Sequence, residues 1–245
     1  MRDAMWRSAL STEGDRIAAV PMSASSAAVM ACPGWDVARL ITHVGRVHRW
    51  AAMVIRDGAQ AAAQAPRQPR PEIAGLADWY RDSRDLLLRE LDAHAPDAAA
   101  DVLTGRGTVR FWLRRQAHET AMHRWDAQDA VSPGAATAFD PDLADDGIDE
   151  WLRVFLPRHL ARIGGVPAEL DGATLRLRST DTTGPDPVLR LGPEPAVEYG
   201  VAPVDTTLSG SAADLLLTIW HRRPAIAPVA TDPGLSERIL DLIHI

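Results

Sequence analysis

The chain has 245 residues, 46% of them hydrophobic, and a formal net charge of −7. That length holds one large or two modest domains around a real core, and the acidic balance argues against nucleic acid as a partner. Lysine and asparagine are absent and all 26 basic residues are arginine, as a GC-rich genome tends to encode, which excludes a Schiff-base lysine and a P-loop lysine.

The segment Met1 to Trp6 lacks the apolar core of a signal peptide, and no apolar run is long enough to span a bilayer. A cytoplasmic protein without a membrane partner is therefore expected. The first helix is predicted from Met5 to about Val20, followed by a Ser- and Ala-rich loop to Ala31. Cys32-Pro33-Gly34-Trp35-Asp36 reads as a turn with Asp36 as the N-cap of a second helix, which runs to about Arg56 and stops near Gly58. As the single cysteine, Cys32 allows no intrachain disulfide and no Cys-rich zinc site, and it is expected to pack under this turn. Ala59 to Pro71 reads as a Gln-, Ala- and Pro-rich linker. Further helices are predicted from about Leu76 to His94, from near Thr108 to before Pro133-Gly134, and from about Asp142 to Ala161.

After Gly164-Gly165 the pattern changes. Thr174 to Arg178 and Val188 to Leu191 alternate with period two, and Thr206 to Leu208 is a third candidate strand. Ser211 is placed to cap an apolar helix from Ala212 to His221, and a last helix is predicted from Leu235 to Ile243. The fold class is α+β, with a helical bundle over residues 1–162 and a small α+β domain over 163–245.

Glu119 and His123 carry the chemical signal. An offset of four on an α-helix rotates by about 40°, so the two side chains stack on one face and can share a divalent metal. His118 and His123 splay by roughly 140° and cannot share one ion from a regular helix. Met122 stands where a His-Glu-x-x-His motif would need its second histidine. A solvated surface pair is the bland alternative. Against it, Gln116, Glu119, His123 and Asp126 form a polar stripe on a helix otherwise rich in Trp112, Leu113, Ala117, Met122 and Trp125, as an inward-facing site requires.

A third ligand must come from another helix. His43 lies within the stripe Leu40, Val44, Val47, Ala51 and Val54 of the second helix, where a lone histidine would ordinarily be a core residue satisfied by a neighbour. Facing Glu119 and His123, it completes two imidazoles and one carboxylate with open coordination positions. Zinc suits that set, and Ni²⁺ or Fe²⁺ could also occupy it. His48 is expected to point away, toward solvent or the third helix.

Cys32-Pro33-Gly34-Trp35-Asp36-Val37 with Leu40-Ile41-Thr42-His43-Val44 resembles the opening of the mycothiol-dependent maleylpyruvate isomerase family, and His118-Glu119 through Asp126 resembles its second motif. Ser209 to Leu215 and Asp232-Pro233-Gly234-Leu235 are similar to that family's C-terminal domain. The resemblance spans nearly the whole chain. It implies a DinB-like four-helix bundle with metal ligands at His43, Glu119 and His123, followed by a sterol-carrier-like α+β domain. It also implies mycothiol, the low-molecular-weight thiol of actinobacteria, as co-substrate. A C-terminal arginine contributes to catalysis in that family, and the nearest match here is Arg222, with Arg223 beside it; a solvated helix end favoured by the dipole is the alternative reading.

The expected function is a metal- and thiol-dependent isomerase or S-transferase acting on a small electrophilic substrate, as a monomer or homodimer. Two alternatives stand beside it. One is a metal-dependent hydrolase, with Asp126 as a candidate base. The other is a non-catalytic metal or small-ligand binding protein of the same fold.

Overall fold

Asp36 starts the helix on which the site depends. Its Oδ1 accepts the Arg39 N–H at 2.6 Å, satisfying an orphan donor of the first turn. The computed structural model describes residues 2–66, 69 and 71–242, and divides the chain into two compact units that meet between Ala138 and Phe139.

The first unit is built on four long helices: α1 (Arg2–Ala18), α2 (Val37–Asp57), α4 (Leu76–Ala93) and α5 (Val109–Val131). Helix α1 packs on α5 and α2 on α4, and the ring closes through α2 on α5 and α1 on α4. Leu10, Ile17, Leu40, Ile41, Val44, Leu76, Tyr80 and Leu87 are fully buried between them. Gly58 ends α2 at φ +86, donating its N–H to Val54 O, a conformation that costs glycine little. The stretch expected to be a linker forms a short helix, α3 (Ala59–Gln64), while residues 67, 68 and 70 of that stretch lie outside the described residues. An unexpected hairpin, β1 (Ala99–Val102) with β2 (Gly105–Thr108), leads into α5.

Charge is also buried here. Arg124 on α5 has a fully buried side chain, pairs through Nε with Glu13 of α1, and donates to Gln128 Oε1 and Thr137 O.

The second unit opens with α6 (Pro141–Glu150), capped by Asp140, whose Oδ1 accepts from Asp142 N at 3.0 Å and Leu143 N at 3.2 Å. The helix continues through a π turn at Trp151–Phe155 into α7 (Leu156–Ile163). Pro157 has no N–H to offer Arg153 O, and the widened turn before it accommodates that loss. A five-stranded sheet follows in the order β5-β4-β3-β6-β7, from β3 (Thr174–Ser179), β4 (Pro187–Arg190), β5 (Ala196–Tyr199), β6 (Thr206–Gly210) and β7 (Val229–Ala230). Strands β3 and β6 pair in parallel and the other neighbours antiparallel. Ser211 caps α8 (Ala212–Ile219), its Oγ accepting from Asp214 N at 3.1 Å. Asp232 caps α9 (Pro233–Asp241); the expected end at Ile243 lies outside the described residues.

The expected boundary at residues 162/163 is therefore corrected to 138/139. Helix α6 buries Leu143, Ala144 and Ile148 and packs on α8, so it shares the core of the second unit. Gly164 and Gly165, at φ +91 and +104, end a helix inside that unit.

Glu13→Ala removes the carboxylate that Arg124 pairs with in the interior, and should cost about 3–5 kcal/mol in denaturant unfolding. Replacing both residues by leucine should recover much of that loss. His48 is buried, with Nε2 2.9 Å from Thr120 Oγ1, and burial pushes its pKa down to about 3, Arg84 adding to the effect and Glu119 opposing it. The unfolded chain binds this proton below about pH 6.5 whereas the folded chain does not until about pH 3, so stability should fall as pH drops through that window. The limiting slope is about 1.4 kcal/mol per pH unit. His48→Gln should flatten this acid limb, and an unchanged limb would show that His48 titrates as it does in water.

Candidate metal centre

His43 sits two turns into α2, and Glu119 and His123 lie one turn apart on α5. The α2–α5 packing turns both imidazoles onto one carboxylate oxygen. His43 Nε2 is 3.2 Å and His123 Nε2 is 3.4 Å from Glu119 Oε1. One ligand atom from each of the three residues falls within 4.8 Å of the other two. The three side chains are 36%, 20% and 12% exposed for His43, Glu119 and His123, so the cluster opens to solvent on the His43 side.

Two of the three side chains are held from behind. His123 Nδ1 lies 3.0 Å from Oδ2 of Asp126, whose side chain is fully buried, and that carboxylate fixes the ring with Nε2 facing Glu119. Arg115 Nη2 donates to the other Glu119 oxygen, Oε2, at 2.9 Å. Burial favours the protonated form of Glu119, but the His123 and His43 imidazoles and the Arg115 guanidinium hold it well below the usual carboxylate range. Burial alone would lower the His123 pKa; Glu119 and Asp126 outweigh it and raise it to about 9. The centre therefore attracts positive charge. Two imidazole nitrogens and one carboxylate oxygen, converging with outer partners in place, fit a divalent cation.

The turn before α2 supplies a wall. Val29 N donates to Trp35 O and Trp35 N to Cys32 O, both at 2.9 Å. The Trp35 ring then lies 4.9 Å from the His43 ring and 6.5 Å from His123, with the Arg39 guanidinium 5.1 Å from its centroid. Cys32 packs against the hydrophobic cluster of this turn, and its sulfur lies within 4.8 Å of a His123 nitrogen and an Asp126 oxygen.

His43, Glu119 and His123 thus come together. His118 is buried, and His48 faces α4 through the Tyr80 ring at 5.6 Å and α5 through Thr120, with no exposure to solvent. Arg222 belongs to the second unit, where its Nη1 donates to Trp220 O at 2.8 Å and its guanidinium lies 5.8 Å from the Trp220 ring centroid. The preceding His221 has φ +55. The sequence reading missed Arg115. Its signal was the four-residue offset to Glu119, the same spacing that marked His123. No helix among the described residues is long and apolar enough to cross a membrane.

No curated protein matches the chain in sequence. The solved structure of the mycothiol-dependent maleylpyruvate isomerase shares its fold, with a TM-score of 0.60 at 13% identity, covering 94% of this chain and 91% of that one. A single-substitution variant of that isomerase gives 0.59 at 12% identity, with the same coverage. The family model of the mycothiol maleylpyruvate isomerase N-terminal domain matches residues 7–128, and that of the MDMPI C-terminal domain matches residues 142–235. The chain belongs to the mycothiol maleylpyruvate isomerase family.

Proposed function

We propose that this protein is a metal-dependent enzyme that uses mycothiol either to isomerise a small electrophilic, maleylpyruvate-like substrate or to join the whole thiol to it as an S-conjugate. The observation that carries the reading is the convergence of His43 Nε2, His123 Nε2 and Glu119 Oε1, in a chain of this family. Those three atoms would hold the ion, and zinc is the metal that two neutral imidazoles and one carboxylate suit. When bound, the ion supplies a Lewis acid that brings a thiol, ordinarily with a pKa near 8.5, to its thiolate at neutral pH.

The chain's own residues do the rest. Asp126 holds the His123 ring in place through Nδ1, and Arg115 holds Glu119. Trp35 offers an apolar face beside His43, which excludes water from one side of the site. In isomerisation the thiolate sulfur adds to the activated double bond, the adduct rotates about the new single bond, and the same C–S bond breaks to return the thiolate. In S-transfer the adduct takes up a proton and is the product. Arg222 is proposed to bind a substrate carboxylate, for which a guanidinium is the fitting partner. A hydrolase using Asp126 as base is the weaker reading, because that carboxylate is buried and engaged with His123 Nδ1.

His43→Ala, Glu119→Ala and His123→Ala should each abolish one-to-one zinc binding while leaving the far-ultraviolet circular dichroism unchanged. Full zinc content in any variant removes that residue from the ligand set. The zinc-loaded protein should turn over maleylpyruvate only when mycothiol is added; equal turnover without the thiol would favour the hydrolase, and none in either case a binding protein. Arg222→Ala should lower kcat/KM about 10- to 100-fold, the loss expected for one charged hydrogen bond. Unchanged kinetics would return Arg222 to a helix-end role.

A further inference from the structure

We infer that Arg115 is a positioning residue: by occupying Glu119 Oε2, it restricts the carboxylate to one metal-facing oxygen and keeps a coordination position open for the thiol. The inference rests on the metal-centre reading proposed above.

The two oxygens of Glu119 are divided between two environments. Oε1 faces both imidazole Nε2 atoms, at 3.2 and 3.4 Å, while Oε2 takes the Arg115 Nη2 donor at 2.9 Å. A carboxylate can give a metal one oxygen or two, and a chelating one fills two positions. Here the second oxygen already has a charge-assisted donor, and that donor is fixed. The Arg115 side chain is 5% exposed, which holds the guanidinium against Glu119.

Helix stability does not explain the pair. Arg115 precedes Glu119 by four residues, the weaker of the two orders for stabilising a helix. A buried ion pair is also poor evidence of net stabilisation. What the pair does contribute is charge. A divalent ion with one carboxylate ligand retains net positive charge, and the neighbouring guanidinium adds to it. That second cation weakens metal affinity and strengthens attraction for an incoming thiolate. Arg115 therefore trades metal affinity for thiol affinity.

This trade gives opposite signs that a merely supporting residue would not give. Cobalt(II) is the probe for the centre and 2-mercaptoethanol for the open position, read by the cobalt d–d bands and the sulfur-to-cobalt charge-transfer band. In Arg115→Met, cobalt affinity should rise about tenfold where loss of a supporting partner typically lowers it about 10- to 100-fold. The d–d bands should weaken as coordination number increases, and the thiol concentration that half-develops the charge-transfer band should rise about tenfold, the scale of one such outer partner. Arg115→Lys should restore both toward the parent protein. Arg115→Gln is the second neutral variant should methionine disturb folding, and it should move in the same direction as Arg115→Met. Weaker cobalt binding with an unchanged thiol response in the neutral variants would overturn the inference and leave Arg115 a scaffold residue. So would spectra unchanged in every variant. Failure of the parent protein to bind cobalt at His43, Glu119 and His123 would instead remove the metal-centre reading on which the inference stands.

Discussion

A carboxylate cannot stay charged inside a helical bundle unless its surroundings compensate it, and the surroundings of Glu119 are organised by that requirement. Arg115 takes one oxygen; His43 and His123 face the other; Asp126 stands behind His123. The order Asp126, His123, Glu119, Arg115 alternates acid and base along one stripe of α5. Each member satisfies the next, so the stripe can be buried against α2 without an uncompensated charge. A polar network of this kind is favourable only when complete, which explains why an otherwise apolar helix carries so many ionisable groups together. Arg124 repeats the principle on another side of α5, toward Glu13 of α1. Helix α5 is thus covered on most of its circumference, by partners that match its charges as well as its apolar surface.

Much of this was readable in the sequence, and the reasons for the exceptions are specific. The offset between Glu119 and His123 is a local property of a helix, so their shared face follows from spacing alone. His43 falls within the apolar stripe of α2 by spacing, although its side chain is 36% exposed. His48 is expected to point away from His43, toward solvent or the third predicted helix, and of those two directions it takes the second, against Tyr80 of α4. Its rotation from His43 is fixed by helix geometry, but whether that direction meets water depends on where α4 and α5 lie, which is tertiary information. The domain boundary failed for a similar reason. The change from helical to strand periodicity after Gly165 is real, yet the core changes earlier, where Asp140 caps a helix that packs on α8.

The strands absent from the sequence expectations are β1, β2, β5 and β7, and three of them share a weak local signal. Strands β1 and β2 read Ala-Ala-Asp-Val and Gly-Arg-Gly-Thr, without a run of β-branched or aromatic residues, and β7 is two residues long. They exist because a neighbouring strand supplies their hydrogen bonds. Helix α3 is the opposite case. Ala59-Gln60-Ala61-Ala62-Ala63-Gln64 consists of good helix formers, and its composition was mistaken for a linker's low complexity.

On the proposed reading, the metal is also a structural crosslink. One candidate ligand lies on α2 and two on α5, Glu119 being 76 residues from His43 along the chain, so an ion would close a long loop that the unfolded chain leaves open. Binding that requires the folded arrangement of both helices adds its free energy to folding. The bundle is nevertheless assembled without that contribution: Asp36 caps α2, Leu40, Ile41 and Val44 pack beside His43, and Trp112 and Ala117 are buried on α5 ahead of Glu119. A centre whose ligands are already convergent needs little rearrangement to take an ion, and preorganisation of this kind distinguishes a site built for chemistry from one that a metal merely pulls together. The three-ligand set leaves coordination unused, and a structural ion would have been better served by a fourth side chain. Cys32 is one candidate, but among the described residues its sulfur clusters with His123 and Asp126 and not with Glu119. On that reading a thiol of the chain lies beside the centre, on the side of His123 and Asp126, and the positions facing Glu119 are left to an external thiol.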